Sequence, residues 1–231
     1  MSKGKYSKKR GFSIRPIVLL LTVALLIGGT IGGTLAWLTA TTQDVTNTFT
    51  VGDVAITLKE SPIKWEVVDN VETGKFDYEQ PKEGVNNTYK LIPGTTYKKD
   101  PVVEVNAESE NCYLFVKATE INDPGRYLSY GYNTEGWTQL EQTAEEKDGK
   151  IIKSTVWYRV VNKTDSVKKF ELLKDNKIIV NDTVVKADTD TTGTDKVAMP
   201  SADKAPNLVF TAYAVQTANL KVEQAWTEVN K

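Results

Sequence analysis

Ile151-Ile152-Lys153-Ser154-Thr155-Val156-Trp157-Tyr158-Arg159-Val160-Val161 is the run on which the fold class turns. Ile152, Val156, Tyr158 and Val160 alternate with Lys153, Thr155 and Arg159, a period of two that belongs to a strand with one dry and one wet face. Its β-branched and aromatic content favours extended backbone as well. The same alternation recurs upstream, with Val54, Ile56 and Leu58 set against Ala55, Thr57 and Lys59.

Working outward, further strand-like runs cover 53–59, 63–68, 89–92, 102–105, 112–121, 127–132, 137–142, 151–161, 177–186 and 208–216. Turn chemistry separates them: Ile92-Pro93-Gly94, Asn122-Asp123-Pro124-Gly125 and Asp175-Asn176. So many strands with so little helix between them cannot be wound as βαβ units. The expected fold is all-β, an antiparallel jelly-roll-like sandwich of two sheets packed face to face. The closing segment, 222–229, is the clearest helix, with Val222, Ala225, Trp226 and Val229 on one face.

Composition removes several chemistries. The 231 residues hold no histidine and one cysteine. Ser-His-Asp triads, Cys-His pairs and HExxH zinc sites all need imidazole, and one thiol makes neither an intramolecular disulfide nor a CxxC pair. Cys112 shares a parity with Leu114, Val116 and Ala118 and so reads as a small buried hydrophobe. No cofactor is implied.

Charge is unevenly spread. Lys3, Lys5, Lys8, Lys9, Arg10 and Arg15 precede the first acid, Asp44. Without residues 1–36 the chain keeps 23 basic and 30 acidic side chains, a net of −7, which opposes nucleic-acid binding. The basic start, the apolar run 17–27, the glycines Gly28, Gly29, Gly32 and Gly33, and then Thr34-Leu35-Ala36 have the layout of a secretory signal peptide. Small side chains at Thr34 and Ala36 place cleavage between Ala36 and Trp37. A retained transmembrane anchor is the competing reading, weakened by an apolar core of 11 residues. Lys8-Lys9-Arg10-Gly11-Phe12-Ser13 also looks like a prepilin site, yet Pro16 stands where pilins place glutamate. The domain expectation is therefore a signal peptide over 1–36, an arm over 37–51 and a sandwich domain over 52–231.

The string Gly32-Gly33-Thr34-Leu35-Ala36-Trp37-Leu38-Thr39, followed by 47–58, resembles the TasA/camelysin group of Gram-positive exported proteins, which carry a SipW-dependent signal peptide. The likeness extends to Leu91-Ile92-Pro93-Gly94, Lys99-Asp100-Pro101, 112–117 and 210–216. It implies a secreted, jelly-roll-like protein of the extracellular biofilm matrix or cell surface. A signal peptidase would process it, and it would polymerise with copies of itself into fibres, with an accessory matrix protein as a further partner. Membrane contact would come only through the uncleaved leader. In such fibres the processed amino-terminal segment completes a sheet in the next subunit, which makes Trp37, Leu38, Val45, Phe49 and Val51 the donor-strand residues.

Parity supports a separable arm. Val45, Phe49 and Val51 share one parity while Val54, Ile56 and Leu58 have the other, and Gly52-Asp53 would absorb the change. The arm lacks proline and is rich in threonine, so every backbone N–H can pair with an exposed edge. An ordinary first strand in its own sheet is the alternative.

Two other functions compete. Tyr127, Tyr130, Tyr132 and Trp137 would suit a glycan-stacking patch of a monomeric adhesin, or else pack in the core. The family likeness also brings a metallopeptidase of the camelysin type, against which the missing imidazoles speak. Asp188, Asp190 and Gly193 fall at positions 1, 3 and 6 of a calcium-type loop, with Asp195 nearby, but Met199 occupies the position of the bidentate glutamate. A solvated acidic loop is the expectation there. Glu141, Glu145, Glu146 and Asp148, ending at Gly149, read as a solvated loop or hairpin tip.

Overall fold

A computed structural model describes residues 54–68, 71–186, 191–217 and 220–230. The segments expected to be a signal peptide, 1–36, and an arm, 37–51, lie outside them. Among the described residues fourteen strands follow one another: β1 (Ile56–Lys59), β2 (Ile63–Val68), β3 (Val71–Tyr78), β4 (Thr96–Lys98) and β5 (Val102–Val105). Next come β6 (Cys112–Ile121), β7 (Leu128–Ser129), β8 (Thr138–Lys147), β9 (Lys150–Val161) and β10 (Lys169–Glu171). The last are β11 (Lys177–Val180), β12 (Val184–Val185), β13 (Val197–Ala198) and β14 (Asn207–Gln216), before helix α1 (Val222–Val229).

The expected all-β class is observed. A four-stranded antiparallel sheet has the order β14-β6-β9-β8. Two three-stranded antiparallel sheets, β1-β5-β10 and β4-β11-β7, share a core with it in the manner of a sandwich. The β2–β3 hairpin and the short parallel pair β12–β13 complete the strand set.

Register explains the core. Cys112, Leu114, Val116 and Ala118 on β6 lie on the face shared with Leu208, Phe210, Ala212 and Ala214 of β14. These residues meet Leu58, Tyr97, Val103, Phe170, Ile178 and Val180 from the smaller sheets. The opposite face of β6 carries Phe115, which is fully buried because α1 covers it with Ala225, Trp226 and Val229. Phe115 and Trp226 have ring centroids 5.3 Å apart, and Tyr213 meets Trp226 edge-on at 5.4 Å. The helix and its buried face therefore agree with the sequence pattern.

The reading of the 151–161 run needs correction. Val156 is buried under α1 and Val160 is 47% exposed, so the expected dry parity is the helix-side face. Trp157 and Val161, of the other parity, pack on the sandwich core, and Arg159 is carried inward with them. Alternation could not reveal this, because both faces of the sheet are covered.

Other boundaries differ for local reasons. The 89–92 run forms no strand: Ile92 N–H turns back to Lys90 O at 2.8 Å, just ahead of Pro93. The 177–186 run breaks into β11 and β12 at a turn closed by Val184 N–H to Asn181 O. The 127–132 run keeps only two strand residues, followed by an isolated bridge from Tyr132 to Leu173. The strands β3, β4, β10 and β13 were not expected; three of them span three residues or fewer, too short for a period to register.

Candidate functional site

Thr34, Ala36, Trp37, Leu38, Val45, Phe49 and Val51 lie outside the described residues, as do Asp188 and Asp190. Asp195 is described and exposed, next to a turn closed by Thr194 N–H to Thr191 O. What can be described for strand donation is the set of edges that could receive an arm.

The four-stranded sheet ends in β14 on one side and β8 on the other. The two edges differ chemically. Strand β8 carries Glu141, Glu145, Glu146 and Lys147, has a register shift between Gln139 and Glu141 against β9, and is mostly exposed. Edge charges and bulges of this kind discourage pairing with a further strand. Strand β14 spans ten residues with no charge, no proline and regular register along β6. Among the described residues no strand is hydrogen-bonded to its outer edge. Strand β1, which follows the expected arm in sequence, runs close to β14.

Of the acidic run, only Asp148-Gly149 is the hairpin tip, at φ 52° and 68°, the left-handed pair of a tight two-residue turn, whereas Glu141, Glu145 and Glu146, expected in a solvated loop or tip, are paired with β9 along strand β8. Glu141 departs from the solvated expectation, because its carboxylate accepts the Trp226 indole N–H at 2.7 Å.

The aromatic residues are packed rather than splayed outward. Tyr127 is buried, and Tyr130, Tyr132 and Trp137 are half-buried against the core. Tyr132, Trp137, Trp157 and Phe210, with Asn133, Val116 and Leu172, line a shallow cleft of about 10 Å³, room for a water-sized molecule. Tyr132 OH donates to Glu120 Oε1 at 2.6 Å, and burial together with that carboxylate raises the phenol's pKa. Beside the cleft, the Arg159 guanidinium stacks 3.9 Å from the Phe170 centroid and 5.1 Å from that of Trp137. Its Nε is buried without a hydrogen-bond partner, and burial lowers its pKa, opposed by Asp165.

Cys112 is fully buried, and burial pushes its thiol up to about 11. That matches the reading of an inert hydrophobe. Among the described residues no group of three His, Cys, Asp or Glu is placed to hold a metal ion, and no helix is long and apolar enough to cross a membrane.

One cluster escaped sequence reasoning. Glu60, Ser61, Lys99 and Asp100 are all at most 7% exposed. Lys99 Nζ lies 3.2 and 3.1 Å from the two oxygens of Glu60. Asn87 Nδ2 donates to Glu60 Oε1 at 2.7 Å, and Tyr89 OH lies 2.9 Å from the same oxygen. Asp100 accepts from Ser61 N–H and Ser61 Oγ, both at 2.8 Å, and pairs with Lys98 at 3.0 Å. The only sequence signal was the string Lys99-Asp100-Pro101, which carried a likeness but no role.

No family model, curated protein or solved structure matches the chain.

Proposed function

We propose that this is an exported structural protein of an extracellular matrix or cell surface, which polymerises when the processed arm 37–51 of one subunit adds as a strand to the next. The single observation that carries this reading is the uncharged, ten-residue outer edge of β14. Strand addition needs an edge whose N–H and C=O groups are free and whose side chains do not repel the incoming strand. Strand β14 meets that requirement better than β8, whose glutamates and bulge oppose it.

The resemblance of 32–58 and of the later strings to TasA/camelysin proteins supports the same reading. Secretion follows from the leader, and its removal frees the arm. Head-to-tail exchange between identical copies is heterologous and does not close on itself, so it produces a filament. The test compares purified protein beginning at Trp37 with protein beginning at Gly52. Electron microscopy and sedimentation should find fibres in the first and monomers in the second. Equal polymerisation of both would overturn the role of the arm.

The alternative is a monomeric adhesin or glycan-binding module using the same sandwich, and the packing of Tyr132 and Trp137 against the core, beside a cleft with room for little more than a water, speaks against a sugar ring stacking there. Saturable glycan binding by protein that forms no fibres would favour it.

A further inference from the structure

Lys99, Asn87 and Glu60 bring together, inside the fold, an amine, a carboxamide and a carboxylate with a common point of contact. Lys99 Nζ and Asn87 Nδ2 both lie on Glu60 Oε1, at 3.2 and 2.7 Å. The Asn87 carbonyl oxygen, Oδ1, accepts the backbone N–H of Ile63 at 2.7 Å. Tyr89 OH bridges the group, 2.9 Å from Glu60 Oε1 and 3.1 Å from Asn87 Nδ2. The rings of Tyr89 and Phe210 stand 5.6 and 6.0 Å from Nζ. The geometry points to an intramolecular isopeptide bond between Lys99 Nζ and Asn87 Cγ, formed by the chain itself with Glu60 as the catalytic residue.

Each part of the reaction has a group in place. Proton transfer from the Lys99 ammonium to Glu60 across the 3.1 Å contact leaves a neutral amine, the nucleophilic form of lysine. The Nζ–Cγ bond forms, and negative charge gathers on Oδ1, where the Ile63 N–H already points. Glu60, hydrogen-bonded to Nδ2, returns its proton there. The Cγ–Nδ2 bond breaks and ammonia leaves, taking the second proton shed by the amine as ammonium. Glu60 ends as it began, a carboxylate, and no oxidant or reductant is consumed. Holding amine and amide on one oxygen turns an encounter that is negligible in water into an intramolecular step.

Asp100 does not compete for the role. Its oxygens are engaged by Ser61 and Lys98, which leaves Glu60 as the carboxylate on Lys99. The bond would close the loop from 87 to 99, which contains the Ile92-Pro93-Gly94 turn and the buried Tyr97. It is independent of whether the protein forms fibres.

Mass spectrometry of the purified wild-type chain tests the proposal without depending on any variant. With the amino terminus established by sequencing, the intact mass should fall below the sequence mass by one ammonia, about 17 Da. Tryptic digestion should leave Lys99 uncleaved and return the Asn87 and Lys99 peptides as one linked species. Glu60→Gln and Lys99→Met, checked for folding by circular dichroism, should restore the full mass. Asn87→Asp should lose water in place of ammonia. A wild-type mass equal to that of the sequence, with Asn87 and Lys99 in separate unmodified peptides, would overturn the bond, as would an ammonia loss mapped to another asparagine.

Discussion

The Trp226 indole N–H donates to the Glu141 carboxylate across 2.7 Å, joining the carboxy-terminal helix to the outermost strand of the main sheet, 85 residues away in sequence. The ring also covers Phe115 and Tyr213. Trp226→Ala should cost about 3–5 kcal/mol, through lost area and an unfilled cavity. Glu141→Gln, which removes the charge and keeps the shape, should cost about 1 kcal/mol. Urea denaturation of both variants measures the two terms. Equal costs would mean that the helix is held by the hydrogen bond and hardly at all by packing.

Arg159 poses the opposite question, whether a cation among aromatic rings stabilises the fold at all. Its stacking on Phe170 is favourable, but its Nε has no partner and burial penalises the charge. Arg159→Met, which keeps the length of the side chain, should change stability by less than about 1 kcal/mol, while Arg159→Ala should lose about 2 kcal/mol. A loss in Met as large as that in Ala would show that the charge itself is needed.

Alkaline pH should unfold the protein cooperatively. Burial pushes the Tyr97 phenol up to about 12, and it raises Tyr78, Tyr89, Tyr130, Tyr132 and Tyr213 as well. The unfolded chain ionises these phenols near 10 while the folded chain holds their protons. Stability is therefore full below about pH 10 and falls as pH rises from there through 12. Circular dichroism and tyrosinate absorbance should change together in that window. Tyrosinate formation without unfolding would place the phenols in contact with solvent.

Gly94 is the third residue of a turn closed by Thr95 N–H to Ile92 O, and its own N–H donates to Val180 O at 2.9 Å. Its φ is +74°, and an added Cβ would stand 2.8 Å from Asp182 Oδ1. Gly94→Ala should lose about 1–2 kcal/mol by thermal denaturation. An unchanged midpoint would mean that the turn relaxes freely.

Cys112 should resist alkylation. With no exposed surface and a thiol pushed up to about 11, native protein should react with iodoacetamide at mildly alkaline pH far more slowly than denatured protein. Comparable rates would indicate frequent opening of β6.

Long, strongly patterned elements were legible in the sequence. The bounds of β6 and α1 agree with the pattern, and those of β9 and β14 differ from it by one residue, because ten or so residues give a period room to declare itself. The three-residue strands β4 and β10 offer no such room; pairing with neighbours makes them strands. The turn at Pro93-Gly94 and the hairpin tip at Asp148-Gly149 were readable because their residues favour the backbone angles required. Arg159 was misplaced because a period of two assigns parity but cannot say which face meets the core. The Glu60, Asn87 and Lys99 cluster was invisible for a different reason. Its members are separated by 27 and 39 residues along the chain, and only tertiary packing brings them together.

Tyr113 on β6 donates its hydroxyl to Leu220 O, 107 residues further along the chain, and β14 and α1, which flank and roof β6, likewise follow it in the sequence and are made after it. The centre of the main sheet cannot settle until those late segments arrive. A nascent polypeptide would thus keep this sheet pliable until the strand and helix that enclose it have been synthesised.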